Sequence, residues 1–236
     1  MRLELLQDAA EFWPRAKADI LGARERVYLQ ALSFEGDAAG REVAATLAAS
    51  PAPDRRVIVD CFTKHVVSDR LVWRPKNLLD PALREEVRAT RRVRCDLGRA
   101  GVGWRFVGPL GPLLLRAPAR NHKKLVLVDE RVAYVGGINF SDHNFAWHDM
   151  MLRVEGEDAA RFLGEDFLRT WEGRPAAATA RLPGLELHAL DGRSNEARFE
   201  EVVLSLLDGA RDAIHLECAY LTSPFLERLG EAARRG

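Results

Sequence analysis

Apolar runs alternate with segments of helical period along almost the whole chain, a pattern that predicts an α/β layer architecture. Phe12, Ala16 and Ile20 fall on one face of a helix over about 10–24, and the apolar run Val27–Phe34 follows it as a strand. A second helix over about 38–49 leads through Arg55 and Arg56 into Val57-Ile58-Val59, which reads as a buried strand. Residues 63–80 read as a long basic loop, followed by a helix over about 81–93 and a strand near 103–107. Pro109, Pro112 and Pro118 break the stretch 108–119, which matches no regular element. Lys124–Asp129 and Val132–Val135 form two strands joined by a tight turn at Glu130-Arg131. A strand over Met150–Val154 and a helix over 157–172 complete the pattern.

Part of this pattern repeats. Residues 20–34, ILGARERVYLQALSF, return at 207–221 as LDGARDAIHLECAYL, an offset of 187 residues. Gly22-Ala23-Arg24 recurs as Gly209-Ala210-Arg211, Val27 as Ile214 and Leu29 as Leu216. Two generic helix–strand units would also give such a match. The duplication reading divides the chain into a complete domain over 1–172, an Ala/Pro-rich linker over 173–183, and the incomplete start of a second copy over 184–236.

Composition narrows the classes. Basic and acidic residues balance at 35 each over 236 residues, which argues against a bulk electrostatic binder of nucleic acid. Hydrophobic residues at 47% and charged residues at 30% exclude wholesale disorder. The longest aliphatic run, Leu125–Val128, falls far short of the roughly 20 residues a spanning helix needs. Glu4, Asp8 and Glu11 interrupt any signal-peptide core. Cys61, Cys95 and Cys218 are scattered and odd in number, without metal-type spacing, so the expectation is a reduced, cytoplasmic chain.

The densest chemistry is His122, Lys124 and Asp129, a His-x-Lys-x-x-x-x-Asp pattern. Strand periodicity puts His122 and Lys124 on one face, while Leu125–Val128 buries the strand that holds them. Alone, such a His-x-Lys would more often be a solvated strand edge. Here Gly136-Gly137-Ile138-Asn139 follows, with glycines that let backbone approach a ligand and an amide at Asn139. His148-Asp149 then opens the next strand, and an ordinary turn or strand-entry carboxylate is the lesser alternative for Asp149. His65, His143, His148, His188 and His215 match no motif position, and the five tryptophans read as core or pocket-wall residues.

The sequence NHKKLVLVDERVAYVGGINFSDHN followed by WHDMMLRVEG resembles the first catalytic block of the phospholipase D superfamily, and within it the bacterial cardiolipin synthases. The resemblance implies two α/β domains with mixed sheets flanked by helices, each giving one block to a shared site. It implies two displacements through a phosphohistidine, with neither metal nor cofactor. Lys124 would supply positive charge to an anionic phosphodiester and Asn139 a hydrogen bond to a non-bridging oxygen. His122 would attack phosphorus or protonate a leaving group, and Asp149 would orient the active-site histidine. Asp129 reads as structural, at the hairpin end. Some relatives have Ser where this chain has Gly137.

The implied activity is transfer of a phosphatidyl group from one phosphatidylglycerol to another, on a membrane surface reached peripherally from the cytoplasmic side. A nuclease of the same superfamily and a catalytically silent module that binds anionic lipid are the rival readings. The stretch Arg84–Lys124 has eleven Arg/Lys against three Asp/Glu; it reads either as a solvated face or as an attractor for anionic headgroups. Leu110, Leu113, Leu114 and Leu115 among prolines form either an apolar loop at the pocket mouth or a cover over the sheet. The repeat offset puts a second block at about position 309. The two-histidine site is therefore expected to need a second half in a longer chain, or a homodimer, and the 236-residue chain alone to be inactive as a monomer.

Overall fold

The computed structural model describes residues 1–111, 120–190, 196–216, 218 and 221–235. They form two compact units, Met1–Ala189 and Leu190–Gly236. In chain order the first unit contains β1 (Arg2–Gln7), α1 (Asp8–Leu21), β2 (Arg26–Ala31), α2 (Ala38–Ala49) and β3 (Asp54–Asp60). A 3-10 turn (Cys61–Lys64), β4 (Val66–Val67), β5 (Arg70–Leu71), α3 (Pro75–Leu78), α4 (Pro81–Arg99) and β6 (Gly103–Val107) follow. Then come β7 (Leu125–Val128), β8 (Val132–Gly136), α5 (Asp142–Ala146), β9 (Met150–Glu155), α6 (Glu157–Trp171), β10 (Ala178–Leu182) and β11 (Leu185–Ala189).

Seven strands make one mixed sheet in the order β1-β9-β8-β7-β2-β3-β6. β2, β3 and β6 run parallel, and every pair from β2 across β7, β8 and β9 to β1 is antiparallel. This is the expected α/β class with a mixed sheet flanked by helices. Alternation along the strands divides the core. Val27, Leu29, Val57, Val59, Val126 and Val128 face one layer with Phe12, Ile20 and Leu47 of α1 and α2. Tyr28, Ile58, Leu125 and Leu127 face the other, against Leu163 and Phe167 of α6. Tyr28 stacks on Phe167 at 4.5 Å between centroids, and Arg56 lies over Tyr28 and Trp171. Arg55 Nη1 donates to the Ala48 carbonyl at 2.9 Å and Nη2 to Ala100 at 2.9 Å, tying the ends of two helices to β3.

Several elements depart from the sequence reading. Arg2–Gln7 is an edge strand registered on β9, from Arg2↔Glu155 to Gln7↔Met150, where charge and apolar residues mix too freely for a clear alternation. α4 runs on to Arg99 because Val93 and Leu97 keep its buried face going. Residues 63–80 are not a featureless loop. Ser68 (φ 47°) and Asp69 (φ 57°) make the two-residue turn between β4 and β5, and Glu35 accepts the Ser68 N–H at 3.1 Å. The stretch 173–183 is not simply linker: β10 pairs with β11 from Ala178↔Ala189 to Leu182↔Leu185, and the boundary between the units falls after Ala189. Leu113, Leu114 and Leu115 lie outside the described residues.

In the second unit, α7 (Glu196–Gly209) and α8 (Phe225–Arg235) repeat the spacing of α1 and α2. Between them, residues 213–216 are not a strand, although their sequence matches β2. β2 draws its hydrogen bonds from β3 and β7, and no described residue of the second unit offers such a neighbour.

Asp129 (φ 54°) closes the turn after β7, at the end of the strand far from His122. Its carboxylate accepts the backbone N–H groups of Glu25 at 2.8 Å, Arg26 at 3.0 Å and Arg24 at 3.2 Å. Burial pushes its pKa up, but those donors outweigh it and hold the carboxyl below the ordinary value. Asp129→Ala should therefore cost about 1–3 kcal/mol in urea unfolding at pH 7. The sign follows from a lowered folded-state pKa: the contribution is complete above the unfolded carboxyl's pKa and is lost as pH falls through the lowered value. The stability difference between wild type and variant should shrink on acidification.

Candidate functional site

The parallel strands β2, β3 and β6 end where β7 and β9 begin, so one end of the sheet gathers residues 32–37, 61–80, 120–124 and 137–149. The extended segment 121–124 enters β7 there, and its side chains alternate. Asn121 accepts from Gln30 Nε2 at 2.8 Å, and Lys123 Nζ reaches both oxygens of the buried Asp166 on α6 at 2.7 and 2.9 Å. Those odd positions face α6, which sends His122 and Lys124 to the opposite face, in line with Val126 and Val128.

Lys124 is only 4% exposed. Its Nζ lies 3.0 Å from His122 Nδ1 and donates to the His122 carbonyl at 2.8 Å. Burial pushes its pKa down to about 8, against the attraction of Asp149. Desolvation of the inner flank of His122 and the Lys124 charge hold the imidazole below its ordinary value, again opposed by Asp149. The site thus favours a neutral imidazole beside a cation that is easily discharged.

Asp149 stands near both groups without a hydrogen bond to His122. Its Oδ1 accepts the Met150 N–H at 2.7 Å, and Asp8 clasps its backbone, donating N–H to the Asp149 carbonyl at 2.7 Å and accepting the Asp149 N–H at 3.0 Å. Gly137 explains the local sequence: a Cβ there would lie 2.1 Å from Asp149 Oδ1, so any side chain would displace the carboxylate. Asn139 is oriented inward. Its Oδ1 accepts the N–H groups of Leu32 at 3.1 Å and Ser33 at 3.3 Å, and its Nδ2 donates to Asn144 Oδ1 at 3.2 Å. That amide holds the end of β2 in place, leaving one Nδ2 hydrogen for any other partner. Of the five residues picked from sequence, His122, Lys124 and Asp149 come together, Asn139 supports the adjoining loop, and Asp129 sits at the other end of β7. His148 pairs with Asp8 at 2.8 Å.

The sequence reading missed Asp60. It is fully buried at the end of β3, where its Oδ2 accepts the Asn121 N–H at 2.8 Å and its Oδ1 accepts from Phe62 N and Arg120 Nη1, both at 2.8 Å. Burial pushes its pKa up against those hydrogen bonds. It fixes the residue immediately before His122. The signal was present as a carboxylate ending the buried run Val57-Ile58-Val59, but nothing local says what it holds. Glu35, Asp37, Arg41, Glu86 and His143 help line a cleft of about 590 Å³ to which His122 and Lys124 do not contribute. Among the described residues no group of carboxylates, histidines and cysteines could hold a metal ion.

A family model described as "Cardiolipin synthase, PLD-like domain" matches residues 17–171. Cardiolipin synthase B of Escherichia coli (strain K12) is 27% identical over 260 residues, covering 100% of this chain and 58% of that protein. The major cardiolipin synthase of Bacillus subtilis (strain 168) is 25% identical over 182 residues, covering 72% of this chain and 33% of that protein. The chain thus spans little more than half the length of the first of these relatives and a third of the second. Among solved structures, the phospholipase D family member Nuc from Salmonella typhimurium superposes with a TM-score of 0.50 at 14% identity, over 72% of this chain and 94% of that one. Phosphatidylserine synthase from Haemophilus influenzae gives 0.50 at 16% identity, over 98% of this chain and 52% of that one. At those identities the likeness is one of fold.

A buried ammonium whose pKa is pushed down opposes folding wherever it is charged. Lys124→Met should therefore raise stability at pH 7, on the order of 1 kcal/mol. The gain should fade as pH rises above about 8, where the native lysine sheds its proton. Urea titrations of both proteins at pH 6.5 and 9 measure the difference.

Proposed function

The chain belongs to the cardiolipin synthase, PLD-like domain family, and on that premise we propose that it carries one half of a phosphatidyltransferase site built around His122. The observation that supports this most directly is the His122–Lys124 pair, 3.0 Å apart, with Asp149 acting on both. An anionic phosphodiester repels nucleophiles, and a cation held beside the imidazole offsets that repulsion in the transition state.

The residues suggest how the ring is switched. While the Lys124 ammonium donates to Nδ1, the neutral imidazole keeps its proton on Nε2; it can give that proton to a leaving alkoxide as Lys124 passes its own proton to Nδ1, so that the ring ends neutral and the lysine uncharged. A bound phosphate would draw Lys124 onto a non-bridging oxygen. Nδ1 could then carry the proton, stabilised by Asp149, and Nε2 would be free to attack phosphorus. In that step the N–P bond forms as the P–O bond to glycerol breaks, and an acid supplied by the second half protonates the departing oxygen. The hydroxyl of a second phosphatidylglycerol then attacks the phosphohistidine, gives up its proton to the same group, and restores His122. Asp129 takes no part in these steps.

The second unit, with helices spaced like α1 and α2, is read as the opening of that other half; a second copy of the chain is the alternative source. Engagement with anionic phospholipid is proposed to be peripheral, on the cytoplasmic face of the membrane. Among the described residues no helix is long and apolar enough to cross a bilayer.

In a protein that contains both halves, His122→Ala should lower glycerol release from phosphatidylglycerol by a factor of about 10²–10⁴ with folding intact. Asp149→Asn should cost about 10–100-fold, because it removes orientation and a field rather than the reacting group. Turnover should decline on the alkaline side from about pH 8, where Lys124 loses its charge. It should decline on the acid side below the lowered value of His122. A folded His122→Ala protein with near-native turnover would remove the assignment.

A further inference from the structure

The segment between β5 and α4 holds its apolar side chains outward. Trp73 is 50% exposed, Leu78 46% and Leu79 76%, all within seven residues that also carry Arg74 and Lys76. This exposure is built in. Asn77 is buried and donates to the Leu71 carbonyl at 2.7 Å, Leu78 N–H donates to the Arg74 carbonyl at 2.9 Å, and Arg70 pairs with Asp80 across the base. Among the described residues neither Arg74 nor Lys76 has an ion-pair partner, whereas much of the basic stretch 84–124 is internally neutralised. Arg92 pairs with Glu85, Arg99 with Asp96, Arg120 with Asp60 and Lys123 with Asp166.

The segment also belongs to the site's end of the sheet. It closes the stretch 61–80, which leaves β3 just after Asp60, the residue that holds Asn121. Asp69, in the β4–β5 turn just before the segment, lies 3.6 Å from His143, whose ring meets the 53%-exposed Trp147 edge-on.

We propose that Trp73, Leu78 and Leu79, flanked by Arg74 and Lys76, are an interfacial anchor that seats the His122 end of the sheet on an anionic bilayer. Three side chains are too few for a stable protein interface, which needs about 800 Å² from each partner. A membrane surface asks for less: an indole at the headgroup level, a few apolar groups below it, and cations to meet the negative surface.

The inference rests on the lipid reading above, and its test separates the two. The 236-residue chain is sedimented with vesicles of phosphatidylcholine alone and of phosphatidylcholine with phosphatidylglycerol. Wild type should bind the anionic vesicles, and added salt should weaken the binding. Trp73→Ser combined with Leu79→Ser should weaken it about tenfold or more, and Arg74→Glu with Lys76→Glu should weaken it on anionic vesicles to a similar extent. Unaltered thermal unfolding of these surface variants confirms folding. Wild-type indifference to vesicles, equal binding to both compositions, or variants that bind as wild type would overturn the anchor. In the two-half protein, the Trp73→Ser/Leu79→Ser variant should keep its turnover on detergent-dispersed lipid. A loss there equal to the loss on vesicles would place these residues in the reaction and also overturn the anchor.

Discussion

The arrangement depends on how four extended residues, Asn121 to Lys124, are locked in register. A strand offers its side chains to alternate faces, and a slip of one residue would exchange them all. Three pins prevent the slip. Asp60 takes the Asn121 backbone, Gln30 takes its side chain, and Asp166 takes Lys123. With the odd positions committed to the α6 side, His122 and Lys124 have one direction left. The two adjacent lysines, interchangeable in a composition count, have opposite duties: Lys123 is neutralised in an ion pair, and Lys124 is left buried beside an imidazole. Two of the pins are buried carboxylates, so their effect is geometric at a cost in desolvation that Asp60 offsets with three donors and Asp166 with the Lys123 ammonium on both its oxygens.

The glycine at 137 shows the same economy from the other side. Asp149 needs the space over that residue, and Asp8 fixes the Asp149 backbone from β1's end. The carboxylate's position is therefore set by an edge strand far away in sequence. A serine at 137 would add a hydroxyl but move the carboxylate.

Most of the architecture was legible because burial is written in period. Val57–Val59 and Leu125–Val128 are apolar on both faces and could only be interior strands, and Phe12, Ala16 and Ile20 mark a helix face. β1 escaped because an edge strand is held mainly by backbone pairing, which leaves little trace in side-chain order. The hairpin of β10 and β11 escaped because alanine and proline there resemble a linker. In the site, residues within 27 positions of one another could be grouped by motif, while Asp60, Asp166 and Asp8 could not, since each acts across 43 or more positions. The role of Asn139 was only partly legible: its amide oxygen caps the backbone after β2 through Leu32 and Ser33, partners that its own neighbours do not announce.

Asp129 gives the His-x-Lys-x-x-x-x-Asp spacing a second meaning. Its carboxylate gathers the loop before β2 at one end of the sheet, and Lys124 stands at the other, five residues away. At about 3.4 Å per residue the interval spans roughly 17 Å, the height of the central strands. The motif is in that sense a gauge: its first part names the reagents, and its last part records how tall a sheet must be to separate them from the hinge that holds the strand. An insertion or deletion inside Leu125–Val128 would break that measure even with every reacting group intact, so the length of this strand matters to the site as much as its chemistry.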